Sequence, residues 1–269
     1  MSTGFQPSQI AAAFVAARRA KASMTDYPGI EPQTLDEGYA VQDAALALWP
    51  EAPAGWKLGR IPPAVQDRFP VDRLAGPIFP GAVWAYEAAA APFVIPAFAG
   101  GTACVEGEFV FRTVRDADPA KVDWTLDEAA DLVGPLHIGV EPAGSPLRGI
   151  NGFGPVAVAS DFGNNAGLLI GPEVEDWRDL DWAELSVATL IDGAPVGTGT
   201  GASIPGTPLA AVAFLAGHLA QRGIALPAGT WISTGAVTGV HDIEIGQSAH
   251  VDFGRLGAFD VRFEAATRD

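Results

Sequence analysis

The chain has one cysteine, Cys104, and three lysines, Lys21, Lys57 and Lys121. No apolar run approaches the roughly 18 residues that a membrane-spanning helix requires. A single cysteine excludes an intrachain disulfide, and nothing in its use points to an oxidising compartment. The opening MSTGFQPSQI lacks the basic stretch followed by an apolar core that a secretory signal needs. The expectation is a soluble, cytoplasmic protein without membrane contact. Positive charge is also scarce, because 16 Lys+Arg stand against 32 Asp+Glu and leave a formal net charge of −16. That balance argues against nucleic acid as a partner. It also repels small organic acids, so a site for one needs concentrated local positive charge, such as a bound metal ion.

What is present suits one large domain, or one domain with a smaller appendage. The 269 residues, 48% of them hydrophobic, can bury a sizeable core without disulfides. The 32 glycines and 22 prolines are spread along the chain, which implies many turns and hence many strands. Ile10, Ala13, Phe14 and Ala17 recur at helical spacing, and so do Ala40, Val41, Ala44, Ala45 and Leu48. Thr34 and Glu37 form a capping box in front of the second helix. From Pro50 to Pro80, Gly55, Pro62, Pro63, Pro70, Gly76 and Pro77 break every period, so the stretch reads as loop. The expected division is a small helical region over 1–75 and a β-rich domain over 76–269.

Beyond residue 76, short apolar or alternating segments predict strands at 92–98, 103–113, 136–141, 155–160, 167–171, 185–191, 230–234, 248–253 and 257–263. Asp192-Gly193 marks a hairpin leading into 194–198. Two helices interrupt the strands. One follows the capping box Thr125/Glu128, and the other runs from Thr207-Pro208 to Gly223. The fold class is α+β, with a β-rich core.

Glu106 and Glu108 lie two apart in the predicted strand 103–113, so their side chains share one face while Gly107 occupies the other. Glu141 ends the apolar run Leu136–Val140. Each carboxylate is either a solvated strand position or a charge neutralised in place. Three together could complete one face of an octahedral Mg²⁺ or Mn²⁺ site, leaving positions for water and substrate.

The order of segments resembles the 2-keto-4-pentenoate hydratase and 4-oxalocrotonate decarboxylase branch of the fumarylacetoacetate hydrolase superfamily. The resemblance rests on Gly55-Trp-Lys-Leu-Gly59, Glu106-Gly-Glu108, Glu141, Asp161-Phe-Gly-Asn-Asn-Ala-Gly167, Gly206-Thr-Pro-Leu209, Ile232–Thr238 and Val251–Gly257. It implies a β-rich mixed sandwich or roll with a helical N-terminal part. It also implies Mg²⁺ or Mn²⁺ on Glu106, Glu108 and Glu141, and a small 2-oxo or 2-hydroxy-dienoic acid held through its carboxylate and 2-oxo oxygens. The implied reaction is hydration of a 2-hydroxy-2,4-dienoate to a 4-hydroxy-2-oxo acid. Alternatives within the superfamily are decarboxylation of a 4-oxalocrotonate-type acid and hydrolysis of an acylpyruvate. The family also implies homo-oligomers and association with another enzyme of the same pathway.

Lys57, between two glycines, is the expected proton carrier, since burial lowers a lysine toward a useful range. Asp161 either holds Lys57, a water or the metal ligands in place, or caps a turn. Asn165 and Thr238 either bind substrate oxygens or satisfy turns. His137, four residues before Glu141, either reaches the substrate or is structural. Two departures stand out. Hydratase relatives carry an acidic residue where this chain reads Val71-Asp-Arg-Leu-Ala-Gly-Pro-Ile78, leaving Asp72 as a displaced candidate, and Ala236 replaces a common Ser. These departures are the support for a different class, a non-catalytic partner subunit.

Overall fold

The protein is described by a computed structural model covering residues 4–267. Among these residues the α-helices are α1 (Pro7–Arg19), α2 (Leu35–Leu48), α3 (Leu126–Leu132), α4 (Ile150–Phe153), α5 (Pro155–Ser160) and α6 (Thr207–Gln221). The first six strands are β1 (Gly55–Arg60), β2 (Arg73–Ile78), β3 (Val83–Ala85), β4 (Phe93–Ala97), β5 (Thr102–Thr113) and β6 (Val133–Ser145). The rest are β7 (Leu168–Val174), β8 (Ser186–Ile191), β9 (Ala194–Thr200), β10 (Trp231–Ala236), β11 (His241–Asp242), β12 (Ser248–Asp252) and β13 (Ala258–Ala265). No helix among them is long and apolar enough to cross a membrane.

The strands form two sheets. The larger has the order β2-β1-β10-β5-β6-β7-β3, with β11 also pairing with β5; the smaller has the order β4-β13-β12-β8-β9. Apolar side chains on the facing sides meet in one core, including Val105, Phe109 and Phe111 of β5, Ile138 and Val140 of β6, and Val251, Phe259 and Val261 of the smaller sheet. Alternation along β5 therefore divides its side chains between that core and the opposite face, where Glu106 and Glu108 stand. Gly107 faces the core at close range. A Cβ there would lie 2.7 Å from Val251 Cγ1, so no larger residue fits between the two glutamates without moving the sheets.

The helix expectations hold. The capping boxes at Thr34/Glu37 and Thr125/Glu128 start α2 and α3, and α6 begins at Thr207 with Pro208 in its first turn. Two readings are corrected. Residues 155–160, taken as a strand, form α5, because Gly154 at φ 94° turns the chain and Pro155 opens a helix with a pre-set φ. The stretch 50–80, taken as loop, contributes β1 and β2 to the larger sheet. Gly55 and Gly76 are there for close approach. Gly76 of β2 packs against the turn Phe162–Asn164, and a Cβ on it would meet the Phe162 carbonyl oxygen at 2.1 Å.

Gly76→Ala forces that turn away from β2. The expected result is a loss of about 1–3 kcal/mol in denaturant unfolding, as for other overpacked sites. An unchanged midpoint would show that the contact yields freely.

Candidate metal and active site

Two antiparallel strands build the centre. β5 pairs with β6 so that Glu106 lies directly opposite Glu141, and Glu108 opposite Gly139. Like charges facing each other across a ladder destabilise it. Here they are also buried, at 2% exposure for Glu106 and 0% for Glu108 and Glu141. One ligand oxygen from each of the three lies within 4.8 Å of the others.

The protein satisfies only part of this set. Glu108 Oε2 accepts from Ser233 Oγ at 2.6 Å and from the Gly235 amide at 2.8 Å. That amide is presented by an irregularity in the β10–β5 register between Ser233 and Ala236, where Gly235 adopts φ 119°. Glu141 Oε1 accepts from Asn165 Nδ2 at 2.9 Å. Glu108 Oε1 and Glu141 Oε2 are buried with no hydrogen-bond partner. Buried oxygens of this kind are costly unless a cation takes them up. The donor set, carboxylate oxygens alone, is that of a hard divalent ion.

Lys57, 4% exposed on β1, brings Nζ to 3.3 Å from Glu141 Oε2. Burial alone lowers this lysine, but Glu106, Glu141 and Glu108 more than reverse it, so its ammonium form is favoured in the cation-free protein. Burial pushes all three glutamates up, Glu106 and Glu108 to about 7 and Glu141 to about 8, against the pull of Lys57. Beside them opens a cavity of about 670 Å³ whose wall includes Lys57, Leu74, Glu106, Asn151, Ala236 and Thr238.

The chain was compared with known proteins. No family model matches it. The 2-keto-4-pentenoate hydratase of Burkholderia vietnamiensis is 30% identical over 209 residues, covering 75% of each chain. The chain belongs to the 2-keto-4-pentenoate hydratase and 4-oxalocrotonate decarboxylase branch of the fumarylacetoacetate hydrolase superfamily. The 4-oxalocrotonate decarboxylase of Pseudomonas putida is 34% identical over 111 residues, an alignment that takes in 41% of this chain and 42% of the relative. A solved structure of 4-oxalocrotonate decarboxylase from Pseudomonas putida superimposes with a TM-score of 0.77 over 96% of this chain and 97% of that one, at 22% identity. The mixed two-sheet architecture is therefore that of the superfamily.

Within this superfamily fold, the remaining candidates divide. Thr238 lines the cavity, with its hydroxyl 2.8 Å from that of Thr189. Asn165 does not line it. Its amide donates to Glu141 and to the Gly167 carbonyl, so it positions a carboxylate. Of the alternatives for Asp161, a direct hold on Lys57 is not the one the structure places there. Its carboxylate is bound by Arg18 through Nε at 2.6 Å and Nη2 at 2.9 Å, and by Ser145 Oγ at 2.5 Å, leaving it occupied by groups other than Lys57. His137 is also corrected. Four residues of strand place it about 13 Å from Glu141, where Nδ1 pairs with the Gly171 carbonyl at 3.0 Å, and it is absent from the cavity wall. Asp72 lines the cavity but lies four residues along from Gly76, the register partner of Lys57. A bidentate bond to Arg73 holds it below the usual carboxylate range.

Sequence reasoning missed Arg18 and Ser233. Arg18 of α1 also donates to the carbonyls of Asn165 and Gly144, tying the N-terminal helix to the segment that carries Asn165. An Arg at the polar end of an otherwise apolar helix gave no sign of a partner 143 residues away.

The raised glutamates set a pH dependence. Between about pH 4.5 and 8 the cation-free folded state keeps protons that the unfolded state releases, so its stability falls as pH rises through this window. A divalent cation must displace those protons and binds more tightly as pH rises. The gap in Tm between Mg²⁺-saturated and EDTA-treated protein should therefore widen from roughly pH 6 to pH 8.5. A gap that stays constant in scanning calorimetry would contradict the assignment of these carboxylates to a cation.

Proposed function

We propose that the protein is a divalent-metal-dependent lyase acting on a small 2-oxo or 2-hydroxy-dienoic acid, with hydration of a 2-hydroxy-2,4-dienoate as its reaction. The observation that carries this reading is the buried set Glu106, Glu108, Glu141 and Lys57, opening on a cavity of the right size for such an acid. The 209-residue sequence alignment to a hydratase supports the same reaction, while the structural match over 96% of the chain is to a decarboxylase.

Glu106, Glu108 and Glu141 would hold Mg²⁺ or Mn²⁺; the solved decarboxylase of the same fold carries magnesium with adipate. When bound, the ion supplies an electrophile for the carboxylate and 2-oxo oxygens of the substrate and so favours enolate character. Asn165, Ser233 and the Gly235 amide fix the carboxylates in place. Lys57, once the charge of its glutamate neighbours is taken up, is left with burial as the dominant influence, which brings an ammonium toward a range useful for proton transfer. Its Nζ moves the proton between the 2-hydroxyl and the carbon chain. Thr238, on the cavity wall, is the hydroxyl donor available to a substrate carboxylate.

A second reading, decarboxylation of a 4-oxalocrotonate-type acid, has its own observation. Apart from Glu106, the carboxylates on the cavity wall are Asp72, tied to Arg73, and Asp242, which accepts from Cys104 Sγ at 3.2 Å. Leu74 stands on the same wall, opposite Gly59 in the β1–β2 ladder. No carboxylate free of such bonds is therefore at hand among the wall residues to activate a water. Loss of CO₂ needs only the electron sink and one proton carrier.

One assay separates the two. Mg²⁺-loaded protein with 2-hydroxypenta-2,4-dienoate should consume the conjugated diene, stop on addition of EDTA, and yield 4-hydroxy-2-oxopentanoate. Inert diene together with CO₂ release from a 4-oxalocrotonate-type acid would replace hydration by decarboxylation. Lys57→Met should bind Mg²⁺ and lose about 10²–10⁴ in kcat; full turnover in that variant would remove Lys57 as the proton carrier.

A further inference from the structure

Resting on the chelating reading above, we propose that Thr189, which stands outside the cavity wall, is a positioning residue whose hydroxyl turns the Thr238 proton toward the carboxylate of the bound acid. Thr189 lies on β8 between Val187 and Ile191, which share its face of the smaller sheet, and it is 0% exposed. Val251, its partner in the β8–β12 ladder, is the side chain that closes on Gly107 between Glu106 and Glu108. The row is otherwise apolar, and a hydroxyl buried there is costly unless it is bonded. Among the described residues its one hydrogen-bond partner is Thr238 Oγ1, at 2.8 Å.

Hydrogen counting fixes which way that bond runs. Each hydroxyl carries one proton and two acceptor lone pairs. Were Thr238 the donor, the Thr189 proton would be left fully buried with no acceptor, a cost that the opposite arrangement avoids. Thr189 therefore donates, and Thr238, which lines the cavity, keeps its own proton for an acceptor there. The backbone sets that proton close to the glutamates. The Gly235 amide bonds Glu108 Oε2, the Val237 amide donates to the Gly107 carbonyl at 2.9 Å, and Thr238 follows directly. The turn is also clamped against the β8–β9 hairpin. A Cβ on Gly197 would meet the Thr238 carbonyl oxygen at 2.5 Å, and one on Gly199 the Val237 carbonyl oxygen at 2.2 Å. His241 Nε2 donates to the same Thr238 carbonyl at 3.0 Å. Thr238 is thus held at its carbonyl by His241 and at its hydroxyl oxygen by Thr189, which leaves the cavity side for its proton.

The test titrates 2-oxopentanoate calorimetrically into the Mg²⁺-loaded protein. Thr189→Val, which removes the donor from an apolar row, should weaken the acid about tenfold, a large part of what a hydrogen bond to a charged group supplies. Thr189→Ser keeps the hydroxyl and should bind within about threefold of the unaltered protein, although the lost methyl group lowers its Tm. Affinity should therefore follow the hydroxyl and not Tm, an order that a packing role would not produce. Thr189→Ala against Thr189→Ser repeats the comparison if valine is not accommodated. In a Thr238→Val background, Thr189→Val should cost no more than about a further twofold, because it acts through the hydroxyl already removed. Equal affinities in the unaltered protein and the variants lacking the Thr189 hydroxyl would overturn the assignment, as would an undiminished loss in the double variant. Unchanged binding in Thr238→Val would overturn it by removing the donor through which Thr189 acts. Failure of 2-oxopentanoate to bind the unaltered protein would instead sink the chelating reading, and the role of Thr189 with it.

Discussion

Three carboxylates are buried against one ammonium, and the rest of the molecule is arranged around that imbalance. Glu106, Glu108 and Glu141 are at most 2% exposed, and Lys57 is the cation within reach. Ionised together, they leave two negative charges in a place from which water is largely excluded, and no domain of ordinary stability holds such a set without compensation. Partial protonation, which the raised glutamates express, is one way out; a divalent cation is the other. The second suits the geometry better, because Glu108 Oε1 is left without a hydrogen-bond donor and Glu141 Oε2 meets only the Lys57 ammonium at 3.3 Å.

Holding the three together requires a stiff support. On one side the two sheets close so tightly that only glycine fits at position 107. On the other, Asn165 fixes Glu141, and its own segment is held by Arg18, which binds the Asp161 carboxylate with both ends of its fork and three backbone carbonyls besides. This ion pair is itself buried, so removing either partner strands a charge. The N-terminal helix is thereby bound into the support of the centre, although no atom of Arg18 touches a glutamate of the trio in any hydrogen bond described above.

Local physics made much of this legible from the sequence. The two capping boxes, the Pro at the first turn of α6 and the strand alternation that puts Glu106 and Glu108 on one face are short-range signals, and each is found where it was read. The failures have a common cause. Gly55, Gly76 and Pro77 looked like loop punctuation, yet β1 and β2 use glycines because neighbouring backbone comes too close for a Cβ. Residues 155–160 are apolar enough for a strand, and only the left-handed Gly154 before Pro155 turns them into a helix. Asp161 was read as holding Lys57, a water or the metal ligands, or as capping a turn. Its true partner depends on a contact 143 residues distant, which no local pattern encodes. The trio was offered by carboxylates inside apolar strands as one of two readings, and the family resemblance favoured it; the structure brings the three within reach of one another.

The scarcity of positive charge then acquires a use. With 16 basic residues against 32 acidic ones, the surface field repels any organic acid, and three of those basic residues, Lys57, Arg60 and Arg73, line a single cavity. A concave site with low-dielectric walls focuses what little positive charge it contains, while the acidic exterior offers few competing anchors for an anion. Neutralising the glutamate end with a divalent ion leaves the cavity near charge balance inside an acidic exterior. The preference for acids would then arise from contrast within one molecule, and would weaken as salt flattens the difference.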